Sequence, residues 1–440
     1  MNWVDRLKAK YAEFKERGLV EKFSKVFILD ILAKGSTFLF LPIFLKLMSQ
    51  EEFGLYTYLF FIVTSLANIL KLGFGTAKSK LFYDFEGAQR GTMLFTVNSF
   101  VFSFFALLMV ATWFFDLDIY LIGLLVEEEF NYQALRVYFL LYVFVQMVVG
   151  FLNVFFVISD NIRVFQWYNL VRILGMNLLA IGAMYYVSTN QVLTRVKYEV
   201  IISLLIMIPL YFKYFSAFKI QFDFSILKRA LVIGLPMMAS VAVTAIYTLS
   251  DKFFLQKFAG FDTLAVYNLA IFLTTPFALV FTSFHILWVP VFFAEKNYQI
   301  NFKKTGRATV GLMAFFVGFA FLIWGAMLLA LQWNFIGIEY TSILWVLPIV
   351  LFAQMFNLTS QLYNNFVVLS ENTVFTLVMT MVLSFFTLAL NYQLTPSWGI
   401  WAASGIFFAM AIFRFTSFYL FAKYKIITPW ININTQAELK

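Results

Sequence analysis

Four ionisable residues sit inside long apolar runs of this sequence, and each needs a physical reason to be there. Asp30 and Lys34 share one run, Arg172 lies in a second and Arg414 in a third. A charge at the centre of a bilayer costs about 2.5–3.5 kcal/mol on insertion scales, so such groups pair, face water or bind something. Asp30 and Lys34 stand at i and i+4, where they can neutralise each other. Arg172 and Arg414 have no carboxylate at i±3 or i±4. They require partners on other helices or an anionic ligand in a polar cavity. Cations outnumber acids among the four, so an anion is the expected ligand. Lys71 lies nearer the end of its run and can extend its stem to the interface, which sets it apart from these four.

The second constellation is neutral. Gln354, Asn357, Gln361, Asn364 and Asn365 fall within one arc of a helix, and Gln146 and Asn153 repeat part of it earlier in the chain. Carboxamides donate and accept, so they suit sugar hydroxyls and suit helix–helix hydrogen bonds equally. His285, beside Trp288 and Pro290, is either a packing residue or a group whose titration range fits a proton-coupled step. Glu127, Glu128 and Glu129 read as a solvated loop.

These residues need elements to carry them, and composition dictates which. Of 440 residues 62% are hydrophobic and only 12% charged, a balance that a water-exposed surface of this size does not tolerate. The net charge of +9 is spread over short loops, which points to a membrane and not to nucleic acid. The lack of cysteine excludes disulfides and thiolate metal sites, and a single histidine argues against a histidine-based metal centre. Residues 1–25 read as an amphipathic helix on the cytoplasmic face, with Trp3, Leu7, Tyr11 and Phe14 on its apolar side. Runs long enough to cross ~30 Å of hydrocarbon follow at about 26–48, 53–75, 92–115, 135–158, 164–187, 198–215, 230–250, 263–293, 306–331, 343–368, 373–394 and 398–421. The eighth is interrupted by Pro276, and 119–126, apolar but too short to span, is expected at the outer interface. With the N-terminus inside, the inner segments hold 22 Lys and Arg, and the outer loops hold five: Lys46, Arg195, Lys197, Lys252 and Lys257. Both termini are therefore expected to be cytoplasmic. No connection is long enough for a nucleotide-binding or glycosyltransferase domain, and no G-x-x-x-x-G-K-[ST] loop occurs.

The turn between the first two runs carries a capping box, Ser49 with Glu52, followed by Gly54 for close helix approach and Tyr56 for the interface. The pattern returns 211 residues later. Lys46, Glu51, Tyr56, Phe61 and Thr64 map onto Lys257, Asp262, Tyr267, Phe272 and Thr275; Gln146 and Asn153 map onto Asn357 and Asn364. An unbroken offset over separate segments indicates duplication. It divides the chain into residues 1–25, a six-helix bundle over 26–215, a linker at 216–229, a second bundle over 230–421 and a tail at 422–440.

The string L-P-x-x-x-x-x-x-S-x-E-E-F-G-L-Y over 41–56 is similar to the signature of bacterial polysaccharide exporters. So are Gly234-Leu235-Pro236, Ser250-Asp251-Lys252-Phe253, Val266-Tyr267 and Trp288-Val289-Pro290. Taken together, residues 25–425 resemble the Wzx-type O-antigen and polysaccharide flippases, in the superfamily that also holds multidrug antiporters and lipid II flippases. Ala265 departs from the glycine usual before the tyrosine. The resemblance implies an all-α polytopic membrane protein of MATE-like fold, with about twelve transmembrane helices in two six-helix bundles around a central cavity. It implies export of a polyprenyl-pyrophosphate-linked oligosaccharide across the inner membrane by alternating access. No cofactor is expected, and polysaccharide-assembly proteins and membrane lipids are the expected partners. Lys34, Arg172 and Arg414 would neutralise the pyrophosphate, and Gln146, Asn153, Gln354, Asn357, Gln361 and Asn364 would face the sugars. Coupling to an H⁺ or Na⁺ gradient would fall to Asp30, Asp251 or His285. The rival readings are a drug/cation antiporter, which would carry buried acids facing its cargo, and a polysaccharide polymerase or ligase, which would need a large outer loop.

Overall fold

The computed structural model describes residues 19–126, 130–187, 190–295, 297–370 and 372–424, and those residues are helical apart from their connections. The helices are α1 (Leu19–Leu47), α2 (Gln50–Leu70), α3 (Phe74–Asp84), α4 (Ala88–Phe115), α5 (Leu117–Leu125), α6 (Tyr132–Ile158), α7 (Ile162–Tyr186), α8 (Gln191–Phe215), α9 (Phe224–Phe272), α10 (Thr275–Ala294), α11 (Tyr298–Gln332), α12 (Ile343–Leu369), α13 (Thr373–Trp398) and α14 (Ile400–Tyr424). Twelve of these have 20 residues or more; α3 and α5 are short. Eight stretches among the described residues are long and apolar enough to cross a membrane. The long helices outside those stretches are α1, α7 and α8, and they pack together, α7 lying against both α1 and α8. This is a multi-pass membrane protein.

Local chemistry sets the helix ends. Glu52 N–H donates to Ser49 Oγ at 3.1 Å and Ser49 N–H to Glu52 Oε2 at 3.0 Å, which closes the capping box at the start of α2. The run at 263–293 is broken at 273–274, and Pro276 sits in the first turn of α10, where a missing N–H costs nothing. The seventh span instead runs on through Gly260, a kink at φ 76° and ψ 172°, into the first turns of the eighth. The 211-residue offset reappears in the helix ends. Tyr132–Ile158 and Ile343–Leu369 are both 27 residues long, with each end 211 positions apart. Their caps match as well: Ser159 N–H donates to the Phe155 and Val157 carbonyls, and Ser370 N–H to those of Phe366 and Val368.

The chain forms two compact units. The first comprises Met1–Met48, Leu59–Leu124 and Phe130–Val241; the second comprises Ser49–Tyr58, Leu125–Glu129 and Ala242–Lys440. The division does not fall in the 216–229 connection but inside α9, for a packing reason. Gly234 lies against the break between α2 and α3, so closely that a Cβ on Gly73 would come within 2.1 Å of the Gly234 carbonyl oxygen. The start of α9 is thereby held in the first unit. In the second unit, the first turns of α2 cross α9 at Gly54, where a Cβ would lie 2.1 Å from the Phe261 carbonyl oxygen. At the same crossing Asn268 Nδ2 donates to Thr57 Oγ1 at 2.8 Å. Tyr56, expected at the interface, is buried there.

Three charges expected in loops are also buried. Arg195 and Glu199 form an i,i+4 pair inside α8, with Arg195 Nε 3.2 Å from Glu199 Oε1, because α8 begins at Gln191 rather than near 198. Lys252 pairs with Asp251 at 3.1 Å. Lys78 is 1% exposed, its ammonium donating to Asn98 Oδ1 and Tyr214 Oη at 3.0 Å each and lying 3.5 Å from the Phe151 ring centre.

Candidate functional site

In the first unit, α2, α6 and α7 each turn one polar face toward a common cavity of about 340 Å³. Thr64, Asn68 and Lys71 come from α2 and the turn that ends it; Gln146, Gly150 and Asn153 come from α6; Gln166, Asn169 and Arg172 come from α7. The spacing explains the convergence. Steps of four and three, as in Thr64–Asn68–Lys71 and Gln146–Gly150–Asn153, keep side chains on one helix face. Phe165 supplies an apolar wall.

The lining holds two cations and no acid. Arg172 is buried, and its Nε and Nη2 both donate to Asn169 Oδ1, at 3.2 and 2.8 Å, while Nη1 donates to Ser203 Oγ at 3.3 Å. Glu199 faces Arg172 from α8 but is engaged by Arg195 and by the Tyr142 hydroxyl, which donates to it at 2.6 Å. Lys71 is half-buried and makes neither an ion pair nor a hydrogen bond through its ammonium among the described residues. Two lining oxygens, Thr64 Oγ1 and Gln166 Oε1, are buried without a hydrogen-bond partner. Unpaired buried polar atoms are costly, so these two oxygens suit a polar occupant.

The expected residues divide between the units. Arg172, Gln146 and Asn153 meet in this cavity, joined by Lys71, which its position near a helix end had set aside. The signal for Lys71 was its place at i+3 and i+7 from Asn68 and Thr64; Gln166 and Asn169 likewise precede Arg172 by six and three. Asp30 and Lys34 fall in α1, and their side chains lie outside what the structure describes.

The remaining expected residues lie in the second unit. Asn364 Oδ1 accepts from Thr376 Oγ1 at 3.0 Å, and Asn365 Nδ2 lies 3.5 Å from His285 Nε2; these two carboxamides join helices. His285 also stacks on Phe281, ring centres 5.3 Å apart. Gln354 and Gln361 make no side-chain hydrogen bond among the described residues, and Asn357 lies against the Tyr247 hydroxyl. Arg414 makes no hydrogen bond or ion pair there either, its guanidinium 5.9 Å from the Phe418 ring centre. Asp251 is buried and saturated: beyond Lys252, it accepts from the Tyr267 hydroxyl at 2.6 Å. That arrangement is a buried ion pair with a phenol on its free oxygen.

Solved structures of the same fold are membrane transporters. The chain matches "Lipid II flippase MurJ, inward closed conformation" with a TM-score of 0.66 at 14% identity, covering 92% of this chain and 88% of that one. It matches an inward-facing multidrug resistance MATE family transporter of the MOP superfamily with a TM-score of 0.61 at 14% identity, covering 91% and 94%. An outward-facing MATE family structure gives 0.55 at 15% identity, covering 92% and 95%. No curated protein sequence matches it. The fold is thus the all-helical one of the MATE and MurJ transporters. A model of the polysaccharide biosynthesis protein family matches residues 19–296, and the chain belongs to that family.

Proposed function

We propose that the chain carries a polyprenyl-pyrophosphate-linked oligosaccharide from the inner to the outer leaflet of the cytoplasmic membrane, with the pyrophosphate held by Lys71 and Arg172. One observation carries this reading: two cations line a single cavity that has no carboxylate on its walls. A pyrophosphate diester brings two negative charges. Arg172 offers a planar fork and Lys71 a compact point charge, a pairing suited to neighbouring phosphate groups. The unpartnered hydroxyl and carboxamides around them match the oxygen-rich remainder of such a ligand. An organic-cation antiporter fits poorly, since its cargo would meet two like charges. Family membership and the flippase fold support the same direction.

The test is flipping of a fluorescent short-chain prenyl-pyrophosphate disaccharide in proteoliposomes. Wild type should flip it, and a Lys71→Gln, Arg172→Gln protein, equally abundant and folded, should not. Equal flipping of a neutral glycolipid, or uptake of an organic cation instead, would reject the reading.

A further inference from the structure

A separate pair of cavities lies at one end of the first unit, where α3 passes into α4 and α8 into α9. The connection between α8 and α9 is held down on α4. A Cβ on Gly91 would come within 2.9 Å of the Lys219 backbone nitrogen and 3.1 Å of the Ala217 carbonyl oxygen, closer than a side chain tolerates. Further along, Asp223 N–H donates to Thr96 Oγ1 at 3.1 Å, and that hydroxyl donates to the Gln221 carbonyl at 3.4 Å. Two cavities border this fixed connection, and both have Ala88 and Lys219 in their walls. One, of about 370 Å³, is polar, with Gln89, Gln221 and Ser225 in its lining. The other, of about 440 Å³, is apolar, with Phe82, Leu94, Phe155 and Phe218. Neither shares a residue with the cavity of Lys71 and Arg172.

Charge on these walls specifies the occupant. Arg229 is paired with Asp84 at 2.9 Å, and Arg90 Nε donates to the Phe82 and Phe85 carbonyls at 2.9 and 2.6 Å. The Lys219 ammonium makes neither an ion pair nor a hydrogen bond among the described residues. The one acid in either lining is Asp223, whose Oδ1 accepts from the Ser225 and Ile226 N–H groups at the start of α9. Gln89 and Gln221 have free carboxamides, which both donate and accept. Exposed Phe215, Ile220, Phe222 and Phe224 flank Lys219 along the chain. Large apolar side chains on both sides of an exposed lysine mark the level at which hydrocarbon meets headgroups. A free phosphate ester would leave the apolar cavity unfilled. A choline lipid would bring a second cation among cations, and pyrophosphate would bring two charges to one free ammonium. We infer that the two cavities hold an anionic glycerophospholipid of the phosphatidylglycerol type, a resident lipid distinct from the cargo. Its phosphate sits at Lys219, its headgroup hydroxyls among Gln89, Gln221 and Ser225, and one acyl chain in the apolar cavity.

The inference needs only the membrane placement of the chain, so it stands or falls apart from the transport reading. The test uses full-length protein in detergent and a fluorescent short-chain phosphatidylglycerol, with binding followed by polarisation. Unlabelled phosphatidylglycerol should displace the probe at least tenfold better than phosphatidylcholine of the same chain length. Lys219→Gln should weaken probe binding about fivefold, the scale of one basic residue near a lipid surface. Lys213→Gln removes an exposed charge from the same end but from neither lining, and should leave binding unchanged. Equal displacement by phosphatidylcholine, or equal losses in Lys219→Gln and Lys213→Gln, would overturn the site. So would displacement by glycerol phosphate as effective as by the lipid, since the apolar cavity would then be idle. A short-chain prenyl pyrophosphate displacing the probe equally from wild type and Lys71→Gln would assign these cavities to the cargo and overturn the resident lipid. Probe binding in Lys71→Gln should match wild type, whatever that variant does in transport.

Discussion

The Lys71 ammonium occupies the space that a side chain at position 150 would fill: a Cβ on Gly150 would lie 2.8 Å from Lys71 Nζ and 3.3 Å from its Cδ. The glycine on α6 thus leaves room for a cation from the end of α2 to enter the cavity opposite Arg172. Because the encroaching atom ends a flexible side chain, Gly150→Ala should fold, and it gains helix propensity of about 0.5–1 kcal/mol. The ammonium, however, must move. We expect normal abundance and about tenfold weaker pyrophosphate binding, equivalent to ~1.4 kcal/mol. Undiminished pyrophosphate binding in Gly150→Ala would show that the position of Lys71 is immaterial.

Arg172 and Lys71 should respond differently to conservative exchange. Arg172 Nε and Nη2 share one acceptor, Asn169 Oδ1, which orients the fork. Arg172→Lys loses the fork and should recover only part of the transport lost in Arg172→Gln. Lys71→Arg keeps the charge in a half-open setting and should recover most of it. Transport per folded molecule is the measurement. Full recovery by Arg172→Lys would mean that charge alone matters at that position.

Gly73 combines a left-handed backbone, φ 68°, with a contact that leaves no room for a side chain against Gly234. Gly73→Ala should therefore destabilise the first unit, by about 1–3 kcal/mol for the backbone strain and more for the displaced α9. A lower melting temperature in detergent is expected, and an unchanged one would refute the packing described.

The short helix α5 is pinned by a buried ion pair, not merely laid at an interface. Arg136 Nε and Nη2 reach Asp118 Oδ2 and Oδ1, each at 2.8 Å, and the Tyr132 hydroxyl donates to Oδ2 at 2.9 Å. Asp116 gives Arg136 a second carboxylate at 2.9 Å. Asp118→Ala leaves the guanidinium with Asp116 and the Thr112 and Trp113 carbonyls, and should lower the melting temperature in detergent. Pyrophosphate affinity per folded molecule should not change; if it falls while stability holds, the pair has a role in binding.

Topology can be tested directly, since the chain has no cysteine of its own. Asn131, Asn334 and Gln299 are exposed. Single cysteines at 131 and 334 should react with an impermeant reagent in intact cells, and one at 299 only after permeabilisation. Labelling of 299 in intact cells would invert the orientation.

What the sequence determined by itself was local. Apolar run length gave twelve long helices, Ser49 and Glu52 gave the start of α2, and the 211-residue offset gave matching ends to α6 and α12, because helix formation and capping depend on residues a few positions apart. Spacing also showed which polar residues share a face. The tertiary structure alone decided what each face meets. Lys71 and Arg172 are 101 positions apart, and only the packing of α2, α6 and α7 makes them walls of one cavity. Arg195, Lys252 and Lys78 looked like loop cations because a buried cation is improbable until its partners are known, and the partners of Lys78 are Asn98, Tyr214 and Phe151 on other helices. Within one carboxamide stripe, Asn364 became a helix tie because Thr376 reaches it from the next helix. A side chain's direction is fixed by its own helix, but its partner is fixed by the neighbour, and neighbours are chosen by packing over the whole chain.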